Sequence, residues 1–190
     1  TKLEKQFKEW FVTRAQWKPV VTGFVNGLLE KGAIDRAISR TLEWGIDVPL
    51  DQAHGKKLYV WFDAPIGYVS NTKQYLAESK STEDYILDWW NNKDVEISHF
   101  IGKDNIIFHA YIWPCMAIGT NFICPPTELP ANQFVNFKGK QFSKSSGEFV
   151  DTEKAMEIFG TDSLRFYLCS IIPENSDSSF SWEGLAAMNE

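Results

Sequence analysis

The sequence predicts an α/β protein in which helices alternate with the strands of a parallel sheet. The run 58–62 is dense in β-prone residues and apolar on both faces, as in a buried parallel strand. Two more β-prone runs, 96–101 and 133–137, each follow a helical pattern, and this alternation is typical of a parallel sheet. With 190 residues, 44% of them apolar and 15% aromatic, the chain can bury a sizeable core.

The first thirty residues predict two helices. Apolar side chains share one stripe over 3–11, and a second stripe at helical spacing runs over 20–29. Pro19 suits the first turn of the second helix, and Gly32 suits its C-terminal end. Because the chain starts in mid-pattern without Met, we expect it to be a piece of a longer protein.

The middle of the chain predicts helices that connect the three strands. A turn at 63–68 leads into a helix that ends near Ser79, and another helix lies around 84–90. A helix over 105–118 follows the second strand. It is apolar nearly all round, which predicts burial, and Pro114 favours a kink in it.

A polar loop at 138–147 separates the third strand from two short C-terminal helices. Asp151 is an N-terminal signal for the first of them, and Gly160 ends it. Thr161 or Asp162 is predicted to cap the second.

Charge and cysteine content exclude several classes of protein. The 19 basic and 25 acidic residues give a net charge of −6, so any contact with nucleic acid needs a local basic patch. Three cysteines without a CxxC pair predict buried free thiols in a reducing compartment. No signal segment opens the sequence, and its longest apolar stretch, 106–119, is too short to span a bilayer. We therefore expect a soluble, cytoplasmic protein.

The usual motifs of several chemistries are missing from the sequence. No His pair or Cys cluster has metal-ligand spacing, no GxSxG elbow is present, and no GxGxxG follows a strand. With three His and no activated nucleophile, the sequence favours a reaction that depends on stabilising charge.

Aromatic and polar residues gather at the end of the first predicted strand, where ligands bind in open α/β sheets. In the run 61–68 (Trp-Phe-Asp-Ala-Pro-Ile-Gly-Tyr), Ala64 and Gly67 allow a ligand to approach the backbone. Trp61 and Tyr68 supply aromatic walls. A packed turn explains the same run without a ligand.

The end of the second predicted strand carries a further candidate site. Gly102 allows close approach, Asp104 can accept hydrogen bonds from ligand hydroxyls or an amine, and the helix N-terminus favours an anion. Asn105 and His109 share one helix face. The alternative is that His109 is a core residue whose hydrogen bonds are satisfied within the protein.

The loop at 139–147 is the third candidate site, and glycines at both ends allow it to move. Its cations, hydroxyls and backbone donors can bind phosphate oxygens. The side chains concerned are Lys140, Ser143, Lys144, Ser145 and Ser146. A solvated hairpin is the alternative, and the P-loop pattern GxxxxGK[ST] is absent.

Taken in order, the three sites resemble the class I methionyl-tRNA synthetases. The resemblance lies in 61–68, in Phe100-Ile101-Gly102-Lys103-Asp104 with Phe108-His109, and in Phe142-Ser143-Lys144-Ser145. Segments 36–46, 162–167 and 180–183 are also similar to the family. The resemblance implies the second half of a Rossmann-like catalytic domain that uses ATP, methionine and the acceptor end of methionine tRNA.

The resemblance also divides the chain into three parts. Residues 1–32 would be the helical tail of the connective insertion, and residues 33–140 the second half of the Rossmann-like domain. Residues 141–190 would hold the KMSKS-like loop and the start of the stem-contact region.

The resemblance implies site residues position by position. The methionine pocket would consist of Arg40, Trp61, Ala64, Pro65, Tyr68, Asn105 and His109. The ATP site would include Gly102, Lys103, Asp104 and Lys144, and the catalytic loop would use Ser143, Lys144 and Ser145. An aromatic, apolar slot suits a polarizable thioether, and Arg40 would help to hold the carboxylate.

The sequence departs from the family pattern in its loop and in its missing half. Gln141 stands where the KMSKS motif has its first Lys, and Lys140 lies one position earlier. None of His54, His99 and His109 forms the family's H-x-G-H segment. We therefore interpret the chain as the C-terminal half of a catalytic domain, inactive without the N-terminal half. Mg²⁺ is expected to accompany ATP, and zinc is expected only in the missing insertion.

Two other functions stay open at this point. One is a class I synthetase for another apolar amino acid, such as leucine or valine, against which the run 61–68 argues. The other is a non-catalytic half-domain that binds tRNA or a protein partner, because the H-x-G-H segment is absent.

Overall fold

The computed structural model describes residues 2–32, 36–137, 139–143 and 149–188. These residues form two compact units. Of the described residues, those within 1–100 and 104–130 form the first unit, and those within 101–103 and 131–190 form the second. The division at residues 32 and 140 that the resemblance implies stays a prediction.

The first unit is mostly helical, with one short antiparallel pair of strands. Its elements in chain order are α1 (Glu4–Val12), α2 (Pro19–Glu30), β1 (Ser39–Arg40), β2 (Lys57–Leu58), α3 (Val60–Asp63), α4 (Ile66–Glu78), a π-helical turn (Tyr85–Trp90), a second π-helical turn (Phe108–Ile112) and α5 (Trp113–Thr120). The two strands pair with Ser39 opposite Leu58.

Both predicted N-terminal helices are present. Phe7 and Phe11 of α1 and Val21 and Val25 of α2 are buried, as the apolar stripes predict. Pro19 is the first residue of α2, and the positive φ of +78° at Gly32 follows the end of that helix. A side chain at this φ would be strained, so glycine suits the position.

The predicted strand at 58–62 is wrong beyond its first residue. The amides of Phe62 and Asp63 both donate to the Tyr59 carbonyl, at 2.8 and 3.2 Å, and the chain turns into α3 directly after β2. Val60 is 63% exposed in this helix. β-propensity depends strongly on packing against neighbouring strands. Without such strands beside it in the described part of the chain, this segment forms local helical hydrogen bonds instead.

The other two predicted strands are shorter than expected, and they do not pair with each other; each pairs in parallel with a short strand that the sequence analysis did not predict. In the second unit, β3 (Ile101–Gly102) pairs with β4 (Ala131–Asn132), and β5 (Val135–Phe137) pairs with β6 (Ser178–Phe180). The run 96–101 contributes only a single parallel bridge, Ser98 to Glu128, before β3.

In place of the single helix predicted over 105–118, the structure has three successive segments with different helical hydrogen-bond patterns. A 3₁₀ turn (Lys103–Asn105) comes first, then the π-helical turn Phe108–Ile112, and then α5. Pro114 is the second residue of α5, so its missing N–H falls where π-helical hydrogen bonding changes to α-helical. The left-handed Asn121 follows the helix.

Helices α6 (Thr152–Phe159), α7 (Thr161–Ser170) and α8 (Trp182–Ala187) complete the second unit. Its core consists of Phe137, Ala155, Leu164, Tyr167, Phe180 and Leu185. Asp151 caps α6 through the Lys154 amide, as predicted. The cap predicted for α7 is wrong, because Gly160 holds that position and no side chain caps the helix.

Within the described residues, no helix combines the length and the apolar character that crossing a bilayer requires.

Candidate functional site

A small cavity of about 160 Å³ lies in the first unit. Its lining is Trp61, Ala64, Pro65, Gly67, Tyr68, Asn71 and His109. The structure thus brings together five of the seven residues that the sequence predicts for one pocket. Pro65 precedes α4, Tyr68 lies in its first turn, and His109 reaches the same cavity from the second π-helical turn.

Tyr68 and His109 are joined by a hydrogen bond of 2.8 Å between the phenolic oxygen and Nε2. His109 Nδ1 lies 3.1 Å from the carbonyl oxygen of Asn105. A carbonyl can only accept, so Nδ1 carries the proton and Nε2 accepts from the Tyr68 hydroxyl in neutral His109. Asn105, predicted as a pocket residue, therefore acts through its backbone and sets the tautomer of His109.

His99 completes a cluster of three rings and is a residue that the sequence analysis missed. Its ring centre lies 4.9 Å from that of Tyr68 and 5.3 Å from that of His109. His99 is 7% exposed. The His99 amide donates to the Glu128 carbonyl at 3.1 Å, and this bond fixes the position of the His99 backbone in the fold. The alternation of the run 96–101 was the available signal, since His99 lies on the inward side and Phe100 on the outward side.

A large groove of about 450 Å³ lies beside the same rings. It is lined by Tyr68, Asn71, Thr72, Trp89, Trp90 and residues 95–100. Tyr68 and Asn71 line both the small cavity and the large groove. The Tyr68 ring therefore forms part of the wall between them.

Trp61 stacks on Phe108, with ring centres 5.3 Å apart and an angle of 25° between the planes. Phe108 also lines a third cavity of about 190 Å³ together with Arg40 and Tyr59. The Arg40 guanidinium lies 4.2 Å from the centre of the Tyr59 ring and donates to the Ala37 and Ser39 carbonyls. Arg40 is thus not among the residues that line the small cavity.

Gly102 and Lys103 lie at the end of β3 in the second unit. The Lys103 ammonium is 2.6 Å from Asp177 Oδ1 and 4.4 Å from the centre of the Phe134 ring. The Lys103 ammonium and the Phe134 amide both donate to this carboxylate and hold the pKa of Asp177 below its ordinary value. The charge of Lys103, predicted for ATP, is thus paired within the protein, while Asp104 is exposed.

The candidate phosphate loop is described only in part. Phe142 stacks on Phe137 at 5.9 Å between ring centres and, with Gln141, lines a shallow pocket of about 250 Å³. Ser143 is half-buried. Lys144 and Ser145, the predicted catalytic residues, lie outside the described residues.

The described part of the chain contains no group of three or more His, Cys, Asp or Glu side chains that could hold a metal ion.

The family model described as tRNA synthetases class I (M) matches residues 1–190, which is the whole chain. The chain belongs to this family. The methionine–tRNA ligase of Thermoplasma volcanium is 41% identical to it over 182 residues, covering 96% of this chain and 33% of that protein. The ligase of Protochlamydia amoebophila is 45% identical over 186 residues and is covered to 26%. The chain thus spans about a third or less of the length of these relatives.

A solved structure of the synthetase family confirms the predicted fold class. Mycobacterium tuberculosis methionyl-tRNA synthetase in complex with methionyl-adenylate matches with a TM-score of 0.78 and 25% identity. The match covers 98% of this chain and 35% of that chain. The chain therefore has the fold of the corresponding part of a class I synthetase.

The ring cluster of this synthetase chain predicts a loss of stability in acid. Burial, and next the neighbouring His109, lower the pKa of His99 from its ordinary 6.5 to about 4. Burial also lowers the pKa of His109, against the opposing effect of the Asn105 carbonyl. Both pKa values are depressed, so as the pH falls below about 6.5 these two side chains take up more protons in the unfolded chain than in the folded one. Above about pH 6.5 the two histidines do not reduce the free energy of unfolding. By about pH 4, the depressed pKa of His99 by itself lowers the free energy of unfolding by about 3 kcal/mol.

Urea denaturation followed by tryptophan fluorescence across this pH range measures the effect. The His99→Phe variant retains an aromatic ring but cannot be protonated, so its stability should fall less steeply than that of the wild type. Equal slopes for the two proteins would contradict the prediction.

Proposed function

We propose that this chain is the part of a methionyl-tRNA synthetase that binds methionine and contributes to the ATP site. The complete enzyme would convert methionine and ATP to methionyl-adenylate and pyrophosphate, and then transfer the methionyl group to tRNA. The observation that carries the proposal is the small cavity, where apolar walls meet the hydrogen-bonded pair Tyr68 and His109. The named function of the relatives at 41% and 45% identity supports the same amino acid.

The small cavity has the chemistry that a methionine side chain requires. Trp61, Ala64 and Pro65 supply apolar and aromatic contacts for a flexible, polarizable thioether. The Tyr68 hydroxyl donates to His109, so it has no proton to offer the thioether sulfur, which can only accept a hydrogen bond. The bonded pair therefore contributes a fixed shape and polarizable contact, since an apolar pocket by itself discriminates by only about 1–3 kcal/mol per methylene.

The reaction needs alignment and charge stabilisation more than acid–base catalysis. The methionine carboxylate is already a nucleophile and would attack the α-phosphorus of ATP, with pyrophosphate as the leaving group. Charge that develops on the leaving pyrophosphate must be stabilised by fixed cations and hydrogen-bond donors. In this proposal Lys144 supplies a cation, and Ser143 and Ser145 supply hydroxyl donors.

The nucleotide is proposed to lie at the end of β3. The Gly102 backbone allows close approach, and the exposed Asp104 carboxylate can accept hydrogen bonds from ribose hydroxyls. Because the Lys103 ammonium is paired with Asp177, the observed contacts support Gly102 and Asp104 better than Lys103 as direct ATP contacts. Arg40 is retained in the proposal as a partner of the methionine carboxylate.

Further ligands and partners of the complete enzyme belong to the proposal as well. Mg²⁺ would arrive with ATP, because this ion usually keeps several waters and is bound mainly through substrate phosphates. Zinc is expected outside this chain. The partners are the acceptor end of methionine tRNA and the N-terminal half of the same enzyme, and a cytoplasmic location stays a prediction.

An amino-acid panel in ATP–pyrophosphate exchange tests the proposal on the complete polypeptide that contains this chain. Methionine should support exchange at least about 100-fold better than leucine or valine, measured as kcat/KM. If leucine or valine supported exchange equally well or better, that amino acid would replace methionine as the proposed substrate. If no amino acid supports exchange while tRNA still binds, the chain is part of a non-catalytic binding module.

A further inference from the structure

Tyr68 is held in place as a wall between the small cavity and the large groove. Both spaces include Tyr68 and Asn71 in their lining, whereas His109 lines only the small cavity and His99 lines only the large groove. A ligand side chain in the small cavity therefore ends against a ring that has open space behind it. The residues that hold the Tyr68 ring in place therefore determine how long a side chain the small cavity accepts.

Two neighbouring histidines restrain the Tyr68 side chain. The hydroxyl is bonded to His109 Nε2 at 2.8 Å, which fixes one end of the side chain. The His99 ring packs against the aromatic ring, with 4.9 Å between the centres and 48° between the planes. Because the ring is also attached to α4 through its Cβ, it can shift toward the groove only if His109 moves with it or the hydrogen bond breaks, and the packing of His99 against both rings opposes that shift.

His99 acts through the volume of its ring. Its Nε2 is buried, and no hydrogen-bond partner for this atom occurs among residues 2–32, 36–137, 139–143 and 149–188. The ring also packs against His109 at 5.3 Å, so it supports both members of the hydrogen-bonded pair. Its backbone is fixed by the bond to the Glu128 carbonyl.

We propose that His99 is a positioning residue that sets the upper size limit of the amino-acid pocket by holding the Tyr68 ring against the large groove. The inference rests on the proposed function, because it assumes that the small cavity takes the methionine side chain. It assigns the limit to a residue that lines the large groove and is separated from the ligand by Tyr68.

The test compares methionine with ethionine, whose side chain is one methylene longer, in ATP–pyrophosphate exchange by the complete enzyme. One methylene in a filled apolar pocket is worth about 10- to 200-fold in discrimination. In the His99→Ala variant the preference for methionine should fall by about tenfold or more, because Tyr68 can then move into the groove. The KM for ATP should stay unchanged. His99→Phe replaces the ring without its nitrogens and should keep the preference to within about threefold.

His54→Ala is the matched control, since it removes an exposed histidine and should leave the preference unchanged. Should His99→Ala fail to fold, as judged by circular dichroism, His99→Leu takes its place, with a fall in the preference of at least about threefold expected. Isothermal titration with both amino acids gives a second readout that does not need turnover.

An unchanged preference in a folded His99→Ala or His99→Leu variant would overturn the inference, as would an equal loss in His99→Phe. Failure of the proposed function is a different result. The wild-type enzyme would then show no exchange with methionine at all.

Discussion

Substitution of His109 by alanine should lower kcat/KM for methionine by about 10- to 100-fold. The change removes the acceptor of the Tyr68 hydroxyl and opens space beside the small cavity. A half-buried hydroxyl that loses its partner costs about 1–3 kcal/mol, which is about 5- to 150-fold in an equilibrium or rate ratio and brackets the expected loss. The KM for ATP should change much less, because the nucleotide is proposed to lie at the end of β3. Pyrophosphate exchange at varied methionine and at varied ATP separates the two effects.

Two tyrosines on α4 provide the control for this experiment. Tyr68→Phe removes the other partner of the same hydrogen bond and should damage methionine use in the same direction. Tyr75→Phe makes the same chemical change on the same helix, at a residue that is 63% exposed, and should have no effect. If His109→Ala, or the corresponding Trp61→Ala, weakens ATP and methionine use equally, these residues do not belong to an amino-acid pocket.

Substitution of Lys144 by alanine in the complete enzyme should slow methionine activation by about 100- to 1,000-fold. Removing one preorganised donor from developing negative charge costs roughly 2.7–4 kcal/mol of activation free energy. The loss should appear mainly in the rate of adenylate formation rather than in ATP binding, because the leaving pyrophosphate gains its charge only as the bond to the α-phosphorus breaks. Single-turnover formation of methionyl-adenylate measures that rate directly.

Lys154→Ala is a suitable comparison for this variant. Lys154 is a surface lysine of α6 whose side chain is 74% exposed, and its loss should leave activation unchanged. The role assigned to Lys144 would be wrong if its alanine variant turned over at the wild-type rate. It would also be wrong if the whole loss appeared as weaker ATP binding.

The parts of the fold that follow from local patterns could be predicted from the sequence. The stripes of α1 and α2, the proline that starts α2 and the Asp151 cap depend on neighbours three or four residues away, and all are present. The structure of the run 58–62 could not be predicted from its local pattern. Its aromatic and β-branched residues suit a strand only if other strands flank it, and here β1 pairs with no more than its first residue.

The candidate site shows the same division between local and long-range information. The resemblance predicts Tyr68 and His109 for one pocket, and the structure brings both to one cavity. His99 belongs to the same ring cluster but comes ten residues before His109, in the irregular segment that precedes β3. Its proximity depends on how the segment before β3 packs against the second π-helical turn. The same dependence on packing explains why Arg40 lines another cavity.

The attachment of the N-terminal helices has a consequence for how fast this chain folds. The Thr127 carbonyl accepts hydrogen bonds from Arg14 Nη1 at 3.1 Å and from Trp17 Nε1 at 2.9 Å, across separations of 113 and 110 residues. A loop of that length loses conformational entropy on closure before these bonds, or the burial of Phe7, can compensate. We therefore expect this unit to fold more slowly than a helical bundle with only local contacts, although most of its residues form helices within a few positions of one another.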